Sequence, residues 1–154
     1  MRTIYFDTET TGLNPHKDRV VLFQYKVNDG PTELIQNPDY AECHRILDSA
    51  DRIVAHNIHF DFGMLGYLPK SIDHFEDTLY LDRIAHPEAD RHGLDAVAQR
   101  VYGRDIYEGL DKKTLQRTKW DSVELTEEQV RYATLDVDGL PTIFEQLQRD
   151  FPVG

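Results

Sequence analysis

Cysteine is almost absent from this chain: there is one, Cys43, in 154 residues. A single thiol closes no internal disulfide and makes no zinc cluster with the scattered histidines, so it reads as a small core residue. Long apolar runs are missing too. No stretch approaches the ~20 residues needed to cross a bilayer, and Met1-Arg2-Thr3 leads directly into strand-like residues without a signal peptide's apolar region. The expectation is no membrane contact and a cytoplasmic location. Positive charge is scarce, with 17 Lys and Arg against 28 Asp and Glu, a formal net charge of -11. Non-specific grip on long duplex DNA comes mainly from Lys and Arg neutralising phosphates, which argues against a DNA-coating protein. An enzyme that grips a few phosphates through bound metal stays open. Repeats, low-complexity segments and linkers are lacking as well, so residues 1–154 are expected to form one domain around a single core.

What is present begins with strands. Residues 2–7, then Val20 to Val27, then Pro31 to Gln36 after the turn Asn28-Asp29-Gly30 read as an antiparallel meander. From residue 39 the period becomes helical through Tyr40, Cys43, Ile46, Leu47 and Ala50, and Arg52 to Ala55 reads as a short buried strand added in parallel. Leu94, Val97, Ala98, Val101 and Tyr102 form a helical stripe ending at Gly103, whereas 104–125 reads as polar and irregular. Thr126 with Gln129 makes a capping box for a long last helix whose apolar stripe runs from Val130 to Phe151, with a bend at Pro141. The sum is a mixed α/β fold, with antiparallel strands 1–3 and parallel additions flanked by helices.

Asp7-Thr8-Glu9 carries the first chemical signal. A strand has a side-chain period of two, so both carboxylates project from one face where the strand meets the Gly12-Leu13-Asn14-Pro15 turn. Two such charges repel unless a cation lies between them, and Mg²⁺ or Mn²⁺ takes oxygen ligands of this kind. Taken alone, the pair is better read as a solvated strand end. What decides is whether further carboxylates reach the same point. Asn57 can cap a helix that places Asp61 in its first turn, and Tyr132 with Asp136, four residues on, share one face of the last helix. Asp77 beside Thr78 reads as a helix cap, and His56, His59 and His92 as hydrogen-bonded structural histidines.

Together Asp7, Glu9, Asp61, Tyr132 and Asp136 occur in the order and contexts of the DEDD exonuclease superfamily. Phe6 to Leu13 resembles its first motif, Asn57 to Asp61 its second and Tyr132 to Asp136 its third. Position 131 is Arg, where the histidine-bearing branch would have its His; Tyr132 is similar to the tyrosine-bearing branch. The stretches His92 to Gly103, Leu110 to Trp120 and Leu125 to Gln129 resemble ribonuclease D.

The resemblance implies a ribonuclease H-like fold and a 3′-5′ exonuclease that uses two divalent metal ions, Mg²⁺ or Mn²⁺. Asp7 would bridge both ions, Glu9 and Asp136 would hold the one beside the attacking water, and Asp61 would act on the other partly through its waters. Tyr132 would orient that water, since a phenol of pKa about 10 is a poor base at neutral pH. Thr10, Leu13, Asn57 and Phe60 would contact the terminal nucleotide, with Leu13 as a wedge against its base. Lys112, Lys113, Arg117 and Lys119 read equally as a backbone-tracking patch or a solvated basic loop. The implied partner is a single-stranded 3′ end, RNA or a short oligoribonucleotide, with a proofreading-type DNA exonuclease as the alternative and a catalytically silent interaction module as a second. The chain is short for ribonuclease D and is expected to do without that family's C-terminal helical domains, in which case a homo-oligomer would supply further surface.

Overall fold

Side-chain alternation along the first strand sets the layers of the molecule. The computed structural model describes residues 1–151. Strands β1 (Thr3–Thr10), β2 (Val20–Val27) and β3 (Thr32–Gln36) pair antiparallel, while β4 (Arg52–Ala55) and β5 (Phe75–Asp77) add in parallel beyond β1, giving the order β3-β2-β1-β4-β5. Parallel neighbours need a crossover, and helices α1 (Tyr40–Asp48) and α2 (Ile58–Leu65) supply it. Ile4 and Phe6, the even positions of β1, pack with Phe23, Cys43, Leu47, Ile58 and Phe62 in the core on the α1 and α2 side.

The other sheet face carries Tyr5, Leu22 and Val54. It is covered from helices α3 (Thr78–Ala85), α4 (Leu94–Tyr102), α5 (Lys112–Arg117), α6 (Glu127–Asp138) and α7 (Leu140–Asp150), through Val97, Ala133, Val137 and Leu140 among others. Odd positions of β1 therefore look toward α6. This is the mixed α/β architecture expected from the sequence.

Several local expectations hold because they rest on local chemistry. β2 and β4 have the expected bounds, and Gly103 ends α4 in the left-handed region at φ 71°. Thr126 and Gln129 exchange both bonds of the capping box. Three expectations need correction. β1 continues past residue 7 to Thr10, because its pairing with β2 persists through Glu9 before a register shift. Segment 104–125 contains a helix, α5, nucleated by the Asp111 cap on Thr114 and by burial of Leu115. The long last helix is two helices: Pro141 has no N–H to donate, which suits the first turn of α7 and not a helix interior, so the chain re-initiates at Gly139. Val130, expected in the apolar stripe, is 38% exposed, the inward face of α6 being carried by Gln129, Tyr132, Ala133, Asp136 and Val137.

A polar tie fastens the helices on the α6 side. Asp82 of α3 is fully buried and accepts from Arg100 of α4 and from His92. Burial opposes its ionisation, but these two donors hold its carboxyl below the ordinary range. Removing one member of a buried pair strands the other, so Asp82→Ala should lower stability by about 3 kcal/mol in urea unfolding. A loss below about 1 kcal/mol would mean that Arg100 reaches solvent without harm and that the tie is dispensable.

Candidate active site

The end of β1 gathers carboxylates from both sides of the sheet. Asp7 and Glu9 pair with Gln24 and Leu22 and share the face that looks toward α6. One turn of α6 brings Tyr132 and Asp136 onto the same inward face, both buried. Oxygens of Asp7, Glu9 and Asp136 lie within 4.8 Å of one another. Asp61 reaches the region from the opposite layer: Thr8 points toward α2, and its hydroxyl donates to Asp61 Oδ1 at 2.5 Å. Strand alternation thus accounts for a three-carboxylate group on one side with the fourth carboxylate one hydroxyl away.

Asp61 and Asp136 are buried, and Asp7 and Glu9 are half-buried. Burial pushes Asp7 up to about 6. Burial first, and then the neighbouring Asp7 charge, push Glu9, Asp61 and Asp136 well above the ordinary carboxylate range. Among the described residues, no Lys or Arg nitrogen comes within 4.0 Å of these four groups. An all-oxygen donor set, crowded, partly buried and, among the described residues, without a protein cation beside it, fits a hard divalent ion. Burial, followed by the Asp136 charge, also raises Tyr132, so its phenol keeps its proton. Gln116 donates to that hydroxyl at 3.3 Å, and the ring leans on Tyr107 and Trp120.

The remaining expected residues take distinct places. Leu13 is 82% exposed at the mouth of a groove that Phe60, Arg117 and Trp120 also line. Its loop is held by Asp18, which accepts from the Thr11 hydroxyl and the Asn14 N–H, and a Cβ on Gly12 would collide with that carboxylate. Thr10 lines the groove while its hydroxyl donates to Gly12 O. Asn57 stands at the start of α2, but in the left-handed region at φ 66° and without a side-chain cap. Its N–H donates to Asp77, which also caps α3 as expected. His56 and His92 are hydrogen-bonded, as expected of structural histidines. Of the basic residues, Arg117 borders the groove, whereas Lys112 is engaged by Asp95 and Asp105.

Sequence reading missed three partners of the carboxylates. Thr8 holds Asp61, Tyr107 donates to Asp136 at 2.7 Å, and the amide of Gln24 lies 3.3 Å from Asp7. Gln24 was detectable as a polar residue inside the apolar run of β2, and Tyr107 as half of an Ile106-Tyr107 pair in an otherwise polar segment.

A 3′-5′ exonuclease family model matches residues 1–152, and the chain belongs to that family. Relatives with this domain differ in size and setting. DNA polymerase I of Aquifex aeolicus is 27% identical over 150 residues, covering 94% of this chain and 23% of that protein. Among solved structures, Brucella melitensis NrnC superposes with a TM-score of 0.79 at 25% identity, over 96% of this chain and 72% of that one; it has also been solved bound to pGG and with bound Mg²⁺. Escherichia coli RNase D, described as an exoribonuclease involved in structured RNA processing, gives a TM-score of 0.76 at 25% identity, over 96% of this chain and 39% of that one. The chain spans about a quarter of the polymerase relative. These structures share the mixed five-stranded α/β fold, the ribonuclease H-like arrangement expected above. Among the described residues, no helix is long and apolar enough to cross a membrane.

The raised carboxyls fix the sign of a pH effect. A carboxyl with a raised folded pKa holds its proton more tightly when folded; its stabilisation is complete below the unfolded value, about 4, and is lost as pH climbs through the folded one. The metal-free protein should therefore melt at lower temperature at pH 8 than at pH 5.5: the loss begins above about pH 4, and the share of Asp7 is complete once the pH has passed about 6. Added Mn²⁺ should raise the melting temperature more at pH 8 than at pH 5.5. Scanning fluorimetry checks both, and a metal effect independent of pH would mean that the ion binds elsewhere.

Proposed function

We propose that this protein hydrolyses phosphodiester bonds at the 3′ end of single-stranded nucleic acid, in the first place RNA or short oligoribonucleotides, releasing nucleoside 5′-monophosphates with two divalent metal ions, Mg²⁺ or Mn²⁺. The observation that carries this reading is the approach of Asp7, Glu9 and Asp136 to within 4.8 Å beside the protonated phenol of Tyr132. Asp7, Glu9 and Asp136 would hold one ion, and Asp7 with Asp61 the other, in the manner of the tyrosine-bearing branch. When bound, such ions stabilise charge on the attacking and leaving oxygens and make water a nucleophile near neutral pH.

The protein's own groups do the positioning. Tyr132 keeps its proton and, with Gln116 donating to its oxygen, has its O–H free to orient the attacking water. Leu13 offers an exposed apolar surface on which a terminal base of any identity can stack, and Phe60 lies across the same groove. Asn57 and Thr10 border the terminal nucleotide, Thr10 chiefly by shaping the loop that presents Leu13. The likeness to NrnC and RNase D supports RNA over DNA, and pGG in NrnC supports short pieces. A silent interaction module is disfavoured, because four crowded carboxylates, two buried and two half-buried, held without a cation destabilise the fold and serve nothing there.

Incubation of the protein with a 5′-labelled RNA and the matching DNA oligomer should give 3′ shortening in Mn²⁺ and none in EDTA, with RNA consumed faster. Faster loss of the DNA would transfer the reading to a proofreading-type enzyme; no shortening of either would remove it. Asp7→Asn should lower kcat by roughly 10³-fold, equal to about 4 kcal/mol of barrier, while the circular dichroism spectrum stays unchanged.

Tyr132→Phe separates orientation from metal binding. Losing one positioned hydroxyl should reduce kcat about 10- to 100-fold with KM and Mn²⁺ affinity held within about twofold. A parallel loss of Mn²⁺ affinity would show that the phenol supports the ligands and not the water.

A further inference from the structure

We propose that Tyr107 is a positioning residue for metal binding, fixing the carboxylate of Asp136 through its hydroxyl; this rests on the two-metal reading above. Tyr107 lies in the connection between α4 and α5, outside the three motif segments, yet it is 2% exposed. Its O–H donates to Asp136 Oδ1 at 2.7 Å. The ring is pinned from several sides. It packs against Tyr132 with centroids 5.6 Å apart, and the Lys112 ammonium lies 5.4 Å from its centroid. Lys112 is itself held by Asp95 at 3.5 Å and Asp105 at 3.9 Å, and Asp105 also accepts from the backbone N–H of Tyr107 at 2.9 Å.

A carboxylate on an aspartate turns readily about its last torsion, so a ligand aspartate needs a partner that fixes its plane. The Tyr107 hydroxyl takes one acceptor position on Asp136 Oδ1, and the carboxylate keeps further acceptor positions for a cation. A phenol does this without positive charge, so it orders the ligand and does not compete with the cation. Lysine or arginine at this place would neutralise Asp136 and weaken the site it was meant to support. Tyr107 also touches Tyr132, so the same connection orders a metal-binding carboxylate and the phenol beside it.

Tyr107→Phe removes the hydroxyl and keeps the ring. Supporting partners of this kind are worth about 10- to 100-fold in metal affinity, so isothermal titration of the metal-free protein with Mn²⁺ should give a Kd raised about tenfold or more, with an unchanged circular dichroism spectrum. Activity of the variant should recover toward wild type as Mn²⁺ is raised, while Asp136→Asn does not recover. A Kd within about twofold of wild type would reduce Tyr107 to a packing residue and overturn the inference alone. Wild-type protein that takes up no Mn²⁺ would remove the two-metal reading together with it.

Discussion

Crowding of like charge at the end of β1 is the constraint on which the rest of the structure depends. Asp7, Glu9, Asp61 and Asp136 are held in one region, the first two half-buried and the last two buried, and desolvation drives all four toward their neutral forms. A fold selected for stability alone would replace them with apolar residues of similar size, since buried charges rarely repay their desolvation. The sheet must instead stabilise the surrounding structure enough to tolerate them. The apolar layers on its two faces, with Phe6, Phe23 and Phe62 on one and Val97, Ala133 and Leu140 on the other, supply that stability.

Topology converts a local sequence pattern into that crowding. β1 is central in the order β3-β2-β1-β4-β5, so both its faces are covered and its end opens between helices of opposite layers. Period-two alternation then gives the odd positions to α6 and the even ones to α2. Asp7 and Glu9 meet Asp136 directly, and Thr8 between them reaches Asp61. A one-residue slip in the pairing of β1 would exchange these faces, which makes the register with β2 as important to the site as the carboxylates themselves.

The features legible in the sequence are those set by neighbours in the chain. The apolar run Val20 to Val27, the capping box of Thr126 and Gln129 and the stop at Gly103 each express a preference within a few residues. The carboxylate set was legible through spacing and motif resemblance together, and neither sufficed alone. What stayed hidden depends on distant partners. The helix at Lys112–Arg117 is too short and polar to announce itself and is held by burial of Leu115. The break at Gly139 turns on whether Pro141 falls in a helix interior or a first turn, and the apolar stripe continues across both. Thr8 and Tyr107 are ordinary residues until the fold directs their hydroxyls at Asp61 and Asp136.

Two buried aspartates in this one chain show how the partner decides the role. Asp82 receives a guanidinium from Arg100 and an imidazole from His92, and its carboxyl is held low. Its charge is satisfied inside the protein, and its work is to tie α3 to α4. Asp136 is also buried but receives a neutral phenol and faces the carboxyls of Asp7 and Glu9, and its own carboxyl is pushed high. Asp61, with the Thr8 hydroxyl, follows the same pattern. Neutral donors fix where a carboxylate points without settling its charge, so the unmet charge stays available to a cation from outside. Had Arg100 stood beside Asp136, the fold would gain an ion pair and lose the unmet charge on which the proposed metal site rests; cations stand at Asp82 and hydroxyls at the cleft.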